Sequence, residues 1–295
     1  MLDFSKLSSP ILLQGNENTA YRDPAVWFEN NTFFLFFTLV ETEADGKVYL
    51  YLAATETSDF LSFTPVRKLS PKNQKLNFSS PGNIVFFNGK YHLCCQTYCR
   101  ENGEKFGNEN SRLWLLHSDD LEHWSQPEMI RVKGDIPFEQ MGRMIDPYLI
   151  RHENGDWFCF YKQNGVSFST SKDLIHWQFA GQTDCGENVC IIRDNGLYRL
   201  WHSPDNGIGE KVSRDLIHWQ DTGTLITLGQ KDWKWAQGRL TAGMVLDLRN
   251  DPSVGKALLF FHGTGPEDER IIFDQYACIG IAWSDDLEHW KYPGS

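Results

Sequence analysis

One short phrase recurs along the chain and limits its fold more than any other feature. Ser118-Asp119-Asp120-Leu121-Glu122-His123-Trp124 returns as Ser171-Lys172-Asp173-Leu174-Ile175-His176-Trp177, as Ser213-Arg214-Asp215-Leu216-Ile217-His218-Trp219 and as Ser284-Asp285-Asp286-Leu287-Glu288-His289-Trp290. A worn copy, Thr57-Ser58-Asp59-Phe60-Leu61-Ser62-Phe63, precedes them and makes five. With the last aromatic of each as marker (Phe63, Trp124, Trp177, Trp219, Trp290), the separations are 61, 53, 42 and 71 residues. Such units hold about four short strands with variable loops. The expected fold is therefore all-β: one domain over residues 1–295, a five-bladed β-propeller with four antiparallel strands per blade.

Aromatic and β-branched runs supply the strands, among them Thr32–Phe37, Tyr91–Cys95, Trp157–Tyr161 and Leu258–Phe261. Ahead of such runs stand Asn30-Asn31, Asn88-Gly89, Asn154-Gly155 and Asn195-Gly196, residue pairs that accept the positive φ of a tight hairpin. Each is expected to join a blade's first strand to its second. In the repeated phrase, Ser and Asp suit turn hydrogen bonds while Leu and Trp suit burial. His123, His176, His218 and His289 are thereby read as blade anchors and leave the list of catalytic candidates.

Composition narrows the function. A formal charge of -11, from 28 basic and 39 acidic residues with no basic run, argues against a nucleic-acid partner. No apolar stretch is long enough to span a membrane. The amino terminus lacks the pattern of a secretory signal, and the seven cysteines include no C-x-x-C pair. Both point to free thiols, buried at Cys94, Cys95, Cys159, Cys190 and Cys278, and to a cytoplasmic protein.

Counting back eight residues from Asn31, Asn154 and Asn195 lands on Asp23, Asp146 and Glu187. The same count gives the small residues Ser80 and Ala242 in blades two and five. First strands line a propeller's channel, so three acids are expected to converge at one mouth. Gathering them costs repulsion and desolvation, which a protein sustains for a cation or for proton chemistry. Glycosidic hydrolysis uses such a set: a carboxylate base for water and a protonated acid for the leaving oxygen. A third, ionised carboxylate would keep that acid protonated.

With these residues in place the chain resembles glycoside hydrolase family 43, a five-bladed group related to families 32 and 117. Tyr21-Arg22-Asp23-Pro24 with Phe34-Leu35-Phe36-Phe37-Thr38 is similar to the family's base motif, Met144-Ile145-Asp146-Pro147 to its third-blade motif, and Gly186-Glu187-Asn188 falls where the family keeps its proton donor. The resemblance implies Asp23 as general base, Asp146 as modulator and Glu187 as general acid. It implies an inverting, exo-acting glycosidase that releases α-L-arabinofuranosyl or β-D-xylosyl units from an oligosaccharide. Glu187 is followed by Asn188-Val189-Cys190 rather than the family's usual Gly-Pro or Ala-Pro, and Ser79-Ser80-Pro81-Gly82-Asn83 replaces its common blade-two motif. That second departure resembles the retaining fructosidases of family 32, the alternative reading. A carbohydrate-binding propeller without catalysis and a phosphorylase are the others.

Substrate contacts are expected from Arg22, Asn83, Arg143, Asn188, His202, Trp235, Arg239, Thr241 and His262, with Trp233 and Gln237 in the same mouth loop as Trp235. No cofactor is required by this chemistry and no His or Cys spacing indicates zinc. The resemblance leaves a place for a structural cation such as calcium in the central channel, near His262.

Overall fold

In the computed structural model, which describes residues 2–295, five antiparallel sheets follow one another along the chain. Blade one is built from Thr19–Glu29, Thr32–Thr42, Val48–Thr57 and Arg67–Lys68. Blade three uses Ile145–Arg151, Trp157–Lys162, Val166–Ser171 and Trp177–Thr183; blade four uses Glu187–Asp194, Leu197–Ser203, Ile208–Ser213 and Gln220–Ile226. In blade two the inner strand is broken into Phe78–Ser79 and Ile84–Phe87, both paired with Lys90–Thr97, and Leu113–Ser118 and Glu128–Met129 follow. Blade five, Arg239–Leu248, Lys256–Thr264 and Cys278–Ser284, is completed from both chain ends: Trp290–Lys291 and Ile11–Leu13 each pair with Cys278–Ser284. The N-terminal strand thus closes the ring by hydrogen bonds to the last blade.

The hairpin turns lie where the Asn pairs placed them. Glu29 pairs with Thr32 around Asn30 and Asn31 (φ 51° and 59°), and Asp194 with Leu197 around Asn195 and Gly196 (48° and 79°). Both central residues are left-handed, the geometry that Asn and Gly accept at least cost.

The repeated phrase is a structural clip. In blade four Ser213 Oγ accepts the N–H groups of Asp215 (3.1 Å) and Leu216 (3.0 Å), while Asp215 Oδ1 accepts those of Ile217 (2.9 Å) and His218 (2.8 Å). Trp219 Nε1 returns to the Leu216 carbonyl at 3.2 Å. These bonds hold each clip's Leu in the left-handed region, at φ 66°, 65°, 63° and 69° for Leu121, Leu174, Leu216 and Leu287, with its side chain buried. The histidines differ from the expectation of anchors. Their side chains are 82–86% exposed and each bonds to its own clip's Asp, so the buried Leu supplies the anchoring.

All seven cysteines are free, and all but Cys185 are buried. Among the described residues, no helix is long and apolar enough to cross a membrane.

Leu216→Ala is expected to cost about 2–4 kcal/mol in denaturant unfolding, from lost burial and the cavity left behind. His218→Ala should leave the midpoint almost unchanged. The reverse order would mean that the imidazole, not the leucine, fastens the blade.

Candidate active site

Every inner strand approaches the axis through the same irregularity. Pairing with the second strand slips between Arg22 and Ala25, Ile145 and Tyr148, Glu187 and Cys190, and Thr241 and Met244. The residue inside each slip is left-handed: Asp23 (φ 50°), Asp146 (52°), Asn188 (52°) and Ala242 (53°), with Ser80 (42°) at the break in blade two. Bulges of this kind re-aim a side chain out of the strand's alternation.

This corrects the register in blade four. Asn31 is the second residue of its turn and Asn195 the first, so equal counts from the two land one position apart. Asn188 holds the position equivalent to Asp23 and Asp146. Glu187 stands one residue earlier, with Arg22, Ile145 and Thr241.

A ring of hydrogen bonds fixes these residues. The N–H of each left-handed residue meets a side chain from the second strand of the preceding blade: Ser80 on Thr38 Oγ1 (2.7 Å), Asp146 on Gln96 Oε1 (2.6 Å), Ala242 on Ser203 Oγ (2.9 Å) and Asp23 on His262 Nδ1 (3.1 Å). The fifth such position is Lys162, opposite Ile145. An ammonium group cannot accept a hydrogen bond. Lys162 contacts Glu187 instead.

Asp23, Asp146 and Glu187 line one cavity of about 240 Å3 on the axis. Because Thr38 Oγ1 accepts from Ser80, its proton is free to go to Asp23 Oδ2, at 2.9 Å. Ser80 Oγ in turn donates to Asp146 Oδ1 at 3.0 Å. Burial, then the negative charges of Glu187 and Asp23, push the Asp146 carboxyl up to about 7. Burial also acts to raise Glu187, but Lys162 and Arg239 outweigh it and hold that carboxyl below its ordinary range. Arg239 donates to Glu187 Oε1 at 2.7 Å.

The order of protonation expected from sequence is thereby reversed in the resting site. Burial favours a proton on Asp146, while Lys162 and Arg239 favour the ionised form of Glu187. Sequence reasoning paired the acids with each other and left out Lys162, whose signal was its place in the second-strand register.

Glu269 is the other residue that sequence reading missed, in a loop that looks like a solvated charge run. It is buried, accepts from Arg22 (2.7 Å), Arg239 (3.1 Å) and Thr264 Oγ1 (3.2 Å), and lies 3.3 Å from His262 Nε2. Burial alone would raise its pKa, yet Arg22, His262 and Arg239 hold it well below the usual carboxylate range.

The expected contacts divide. Arg22, Arg143, Asn188, Arg239 and His262 line the axial cavity, although Arg22 is tied to Glu269 and lies under the Phe273 ring at 4.1 Å. The remaining four do not. Asn83 stitches blade two to blade three, donating to the Leu149 carbonyl (2.7 Å) and accepting the Leu149 N–H (2.9 Å). His202 is buried, which lowers it to about 4, and it accepts the Gly186 N–H at 3.0 Å. Trp235 stacks on Trp233 (5.2 Å) and Phe261 (6.0 Å) in the core of blade five. Thr241 is buried in strand pairing opposite His262. The aromatic faces turned to the cavity are instead Tyr98, Phe106 and Phe273, on loops without a motif.

At His262, the place expected for a structural cation, both ring nitrogens face protein groups. Nδ1 accepts the Asp23 N–H, which leaves the proton on Nε2, facing Glu269. Among the described residues, no group of three or more His, Cys, Asp or Glu could hold a metal ion.

No protein-family model matches the sequence, and no curated protein does. Solved structures do match the fold. An exo-1,5-α-L-arabinanase from a bovine ruminal metagenomic library aligns with TM-score 0.63 and 16% identity over 98% of both chains. A thermostable family-43 glycoside hydrolase aligns with TM-score 0.64 and 15% identity over 99% of this chain and 96% of the other. A family 43 β-xylosidase/α-arabinofuranosidase from a compost microbial metagenome, solved with xylotriose, gives 0.63 and 12% over 98% of both. The chain has the five-bladed propeller fold of these enzymes over nearly its whole length, as the blade repeat led us to expect.

Because Asp146 is raised to about 7 from an ordinary 3.8, its folded form binds a proton more tightly than the unfolded chain does. That contribution to stability is complete below about pH 4 and is lost as pH rises through about 7. Asp146→Asn keeps the left-handed backbone and the acceptor for Ser80 but cannot ionise. Its melting temperature should match the wild type at pH 4 and exceed it at pH 8, by on the order of 1–3 kcal/mol in stability. A variant less stable at pH 8 would show that the carboxylate is favourably held.

Proposed function

We propose that this protein is a glycoside hydrolase in which Asp23 activates water and the Asp146–Glu187 pair supplies the proton for the leaving oxygen. The observation that carries this reading is the convergence of Asp23, Asp146 and Glu187 on one cavity, with one carboxyl raised to about 7 and another held below its ordinary range. Groups with pKa values driven apart by their surroundings are the signature of acid–base work. Asp23 is oriented as a base through Thr38 and its backbone bond to His262.

Below about pH 7 the pair shares one proton in this reading, and Lys162 acts on both carboxyls. Drawing Lys162 away from Glu187 as substrate enters would remove the cation that keeps Glu187 ionised and let the proton pass to it. Glu187 would then act as the acid, the role its place in blade four implied.

Exo action is supported by the shape of the site. The loops carrying Arg100 and Asp274 join over one side of it through a two-pronged ion pair (2.8 and 2.9 Å), with Phe106 against Phe273 at 5.2 Å. The axial cavity continues into a groove of about 970 Å3, sharing Arg143, Lys162, Glu187, Arg239, Glu269 and Arg270 with it. A chain end in the smaller axial cavity with the remainder in the larger groove is the arrangement of a unit-by-unit enzyme. The arabinanase and xylosidase names of proteins with this fold favour a pentose, α-L-arabinofuranosyl or β-D-xylosyl, as the released unit. Seven cysteines without a disulfide fit a cytoplasmic setting.

Asp23→Asn is expected to lower kcat on arabino- and xylo-oligosaccharides by roughly 10²–10⁴-fold. NMR of the wild-type product should show inversion at the anomeric carbon. Retention would make Asp23 a nucleophile, and unimpaired turnover by Asp23→Asn would remove it from the chemistry. Lys162 lowers the pKa of both Asp146 and Glu187. Lys162→Met should therefore move the alkaline limb of the kcat/KM profile to higher pH. A limb that stays in place or moves down would detach that proton from the pair.

A further inference from the structure

The groove outside the axial cavity is walled on its blade-three side by Lys133, the segment from Gln140 to Arg143, and Lys162. Its other cations are engaged: Lys162 and Arg239 with Glu187, and Arg270 with Asp268 at 2.9 Å. Lys133 and Arg143 pair with no carboxylate among the described residues. Arg143 uses Nε on the Gly107 carbonyl (3.0 Å), which leaves both terminal nitrogens of its fork to donate elsewhere. Lys133 Nζ rests on the Met141 carbonyl at 2.9 Å. Burial, and then repulsion from Arg112, lowers its pKa.

Arg112 belongs to the same region and also lacks an acid partner. It is buried against Phe138 at 3.9 Å and is bonded to the carbonyls of Glu109, Ser111 and Phe138. Three half-buried or buried cations thus surround the short helix Phe138–Met141 in a chain whose formal charge is -11. The acids beside this wall are Glu139 and the exposed, groove-lining Glu109, and neither forms an ion pair with these cations; Asp205, Asp268 and Glu269 line the groove as well, Asp268 paired with Arg270 and Glu269 with Arg22 and Arg239. Gln163 holds this wall in place, its Nε2 donating to the carbonyls of Met141 (3.1 Å) and Arg143 (2.8 Å). Unpaired cations withdrawn from water cost free energy, and a fixed guanidinium fork suits a planar oxyanion.

We propose that Arg143 and Lys133 form an oxyanion subsite at the inner end of the groove, which takes the carboxylate of a uronic acid unit next to the sugar in the axial cavity. Arg143 lines both spaces, so the anion it binds lies beside the bond to be broken rather than far along the chain. The preferred substrate is accordingly an acidic oligosaccharide. This deepens the glycosidase reading and rests on it only for the neighbouring sugar; the oxyanion chemistry stands on the cations themselves. Inorganic phosphate offers the same chemistry from a free source, and the test separates the two.

Calorimetric titration of the full chain with a xylosyl-glucuronic acid disaccharide, xylobiose and inorganic phosphate, at low and high salt, measures the subsite directly. The acidic disaccharide should bind roughly tenfold or more tighter than xylobiose, and salt should shrink that margin. Arg143→Gln and Lys133→Met should each erode the margin, with melting curves confirming folded variants, and Arg143→Lys should restore part of it. Phosphate binding tighter than the acidic disaccharide, with the same dependence on Arg143, would keep the oxyanion subsite but overturn the uronate. Equal binding of acidic and neutral disaccharides, or a margin untouched in both variants, would overturn the proposal altogether. Hydrolysis of neutral oligosaccharides without any acidic margin would leave the glycosidase reading standing and the subsite refuted. An acidic margin without hydrolysis of any glycoside would do the opposite.

Discussion

Four side chains from second strands, Thr38, Gln96, Ser203 and His262, each accept the backbone N–H of a left-handed residue in the next blade. An unpaired buried N–H costs about 1–3 kcal/mol, so this ring allows the inner strands to slip out of regular pairing where they meet the axis. The slip aims Asp23 and Asp146 at a common cavity. It also accounts for His262, which does for Asp23 what a threonine or a glutamine does elsewhere in the ring.

Lys162 breaks the ring, and the electrostatics of the site follow from that break. A donor stands where the other blades have acceptors, and it turns to Glu187. The cation offsets the cost of gathering three acids and holds Glu187 toward its ionised form. Asp146, the most deeply buried of the three, is the one raised to about 7. Arg239 extends the network to Glu269, which ties it to Arg22 and His262, so the charge state of the cleft is shared among blades one, three, four and five.

The fold was legible because its signal is repeated. Four clips of the Ser-x-Asp-Leu type and one worn copy, Thr57-Ser58-Asp59-Phe60, indicated the blade number, and turn pairs such as Asn30-Asn31 and Asn195-Gly196 marked the hairpins, since few residues accept their backbone geometry. Asp23 and Asp146 could be found by counting from those turns. The count failed at Glu187 by one residue, because Asn31 and Asn195 occupy different places in their turns. Trp235 and Asn83 were misread for a different reason. Indole rings and amides serve cores and sugars alike, and their orientation depends on neighbours such as Phe261 and Leu149 that lie far off in sequence.

Local geometry repeats in a propeller, and repetition is what a sequence displays: the strand periods, the turn residues and the clip determined five blades and brought acids to the axis. Charge does not repeat. Whether a carboxyl is neutral or ionised depends on burial and on cations arriving from other blades, and Lys162, Arg239 and Glu269 have no motif that joins them. Only the closed ring set Lys162 against Glu187 and left Arg143 and Lys133 with no carboxylate partner among the described residues, because Coulomb interactions are decided by distance in space and not by position along the chain.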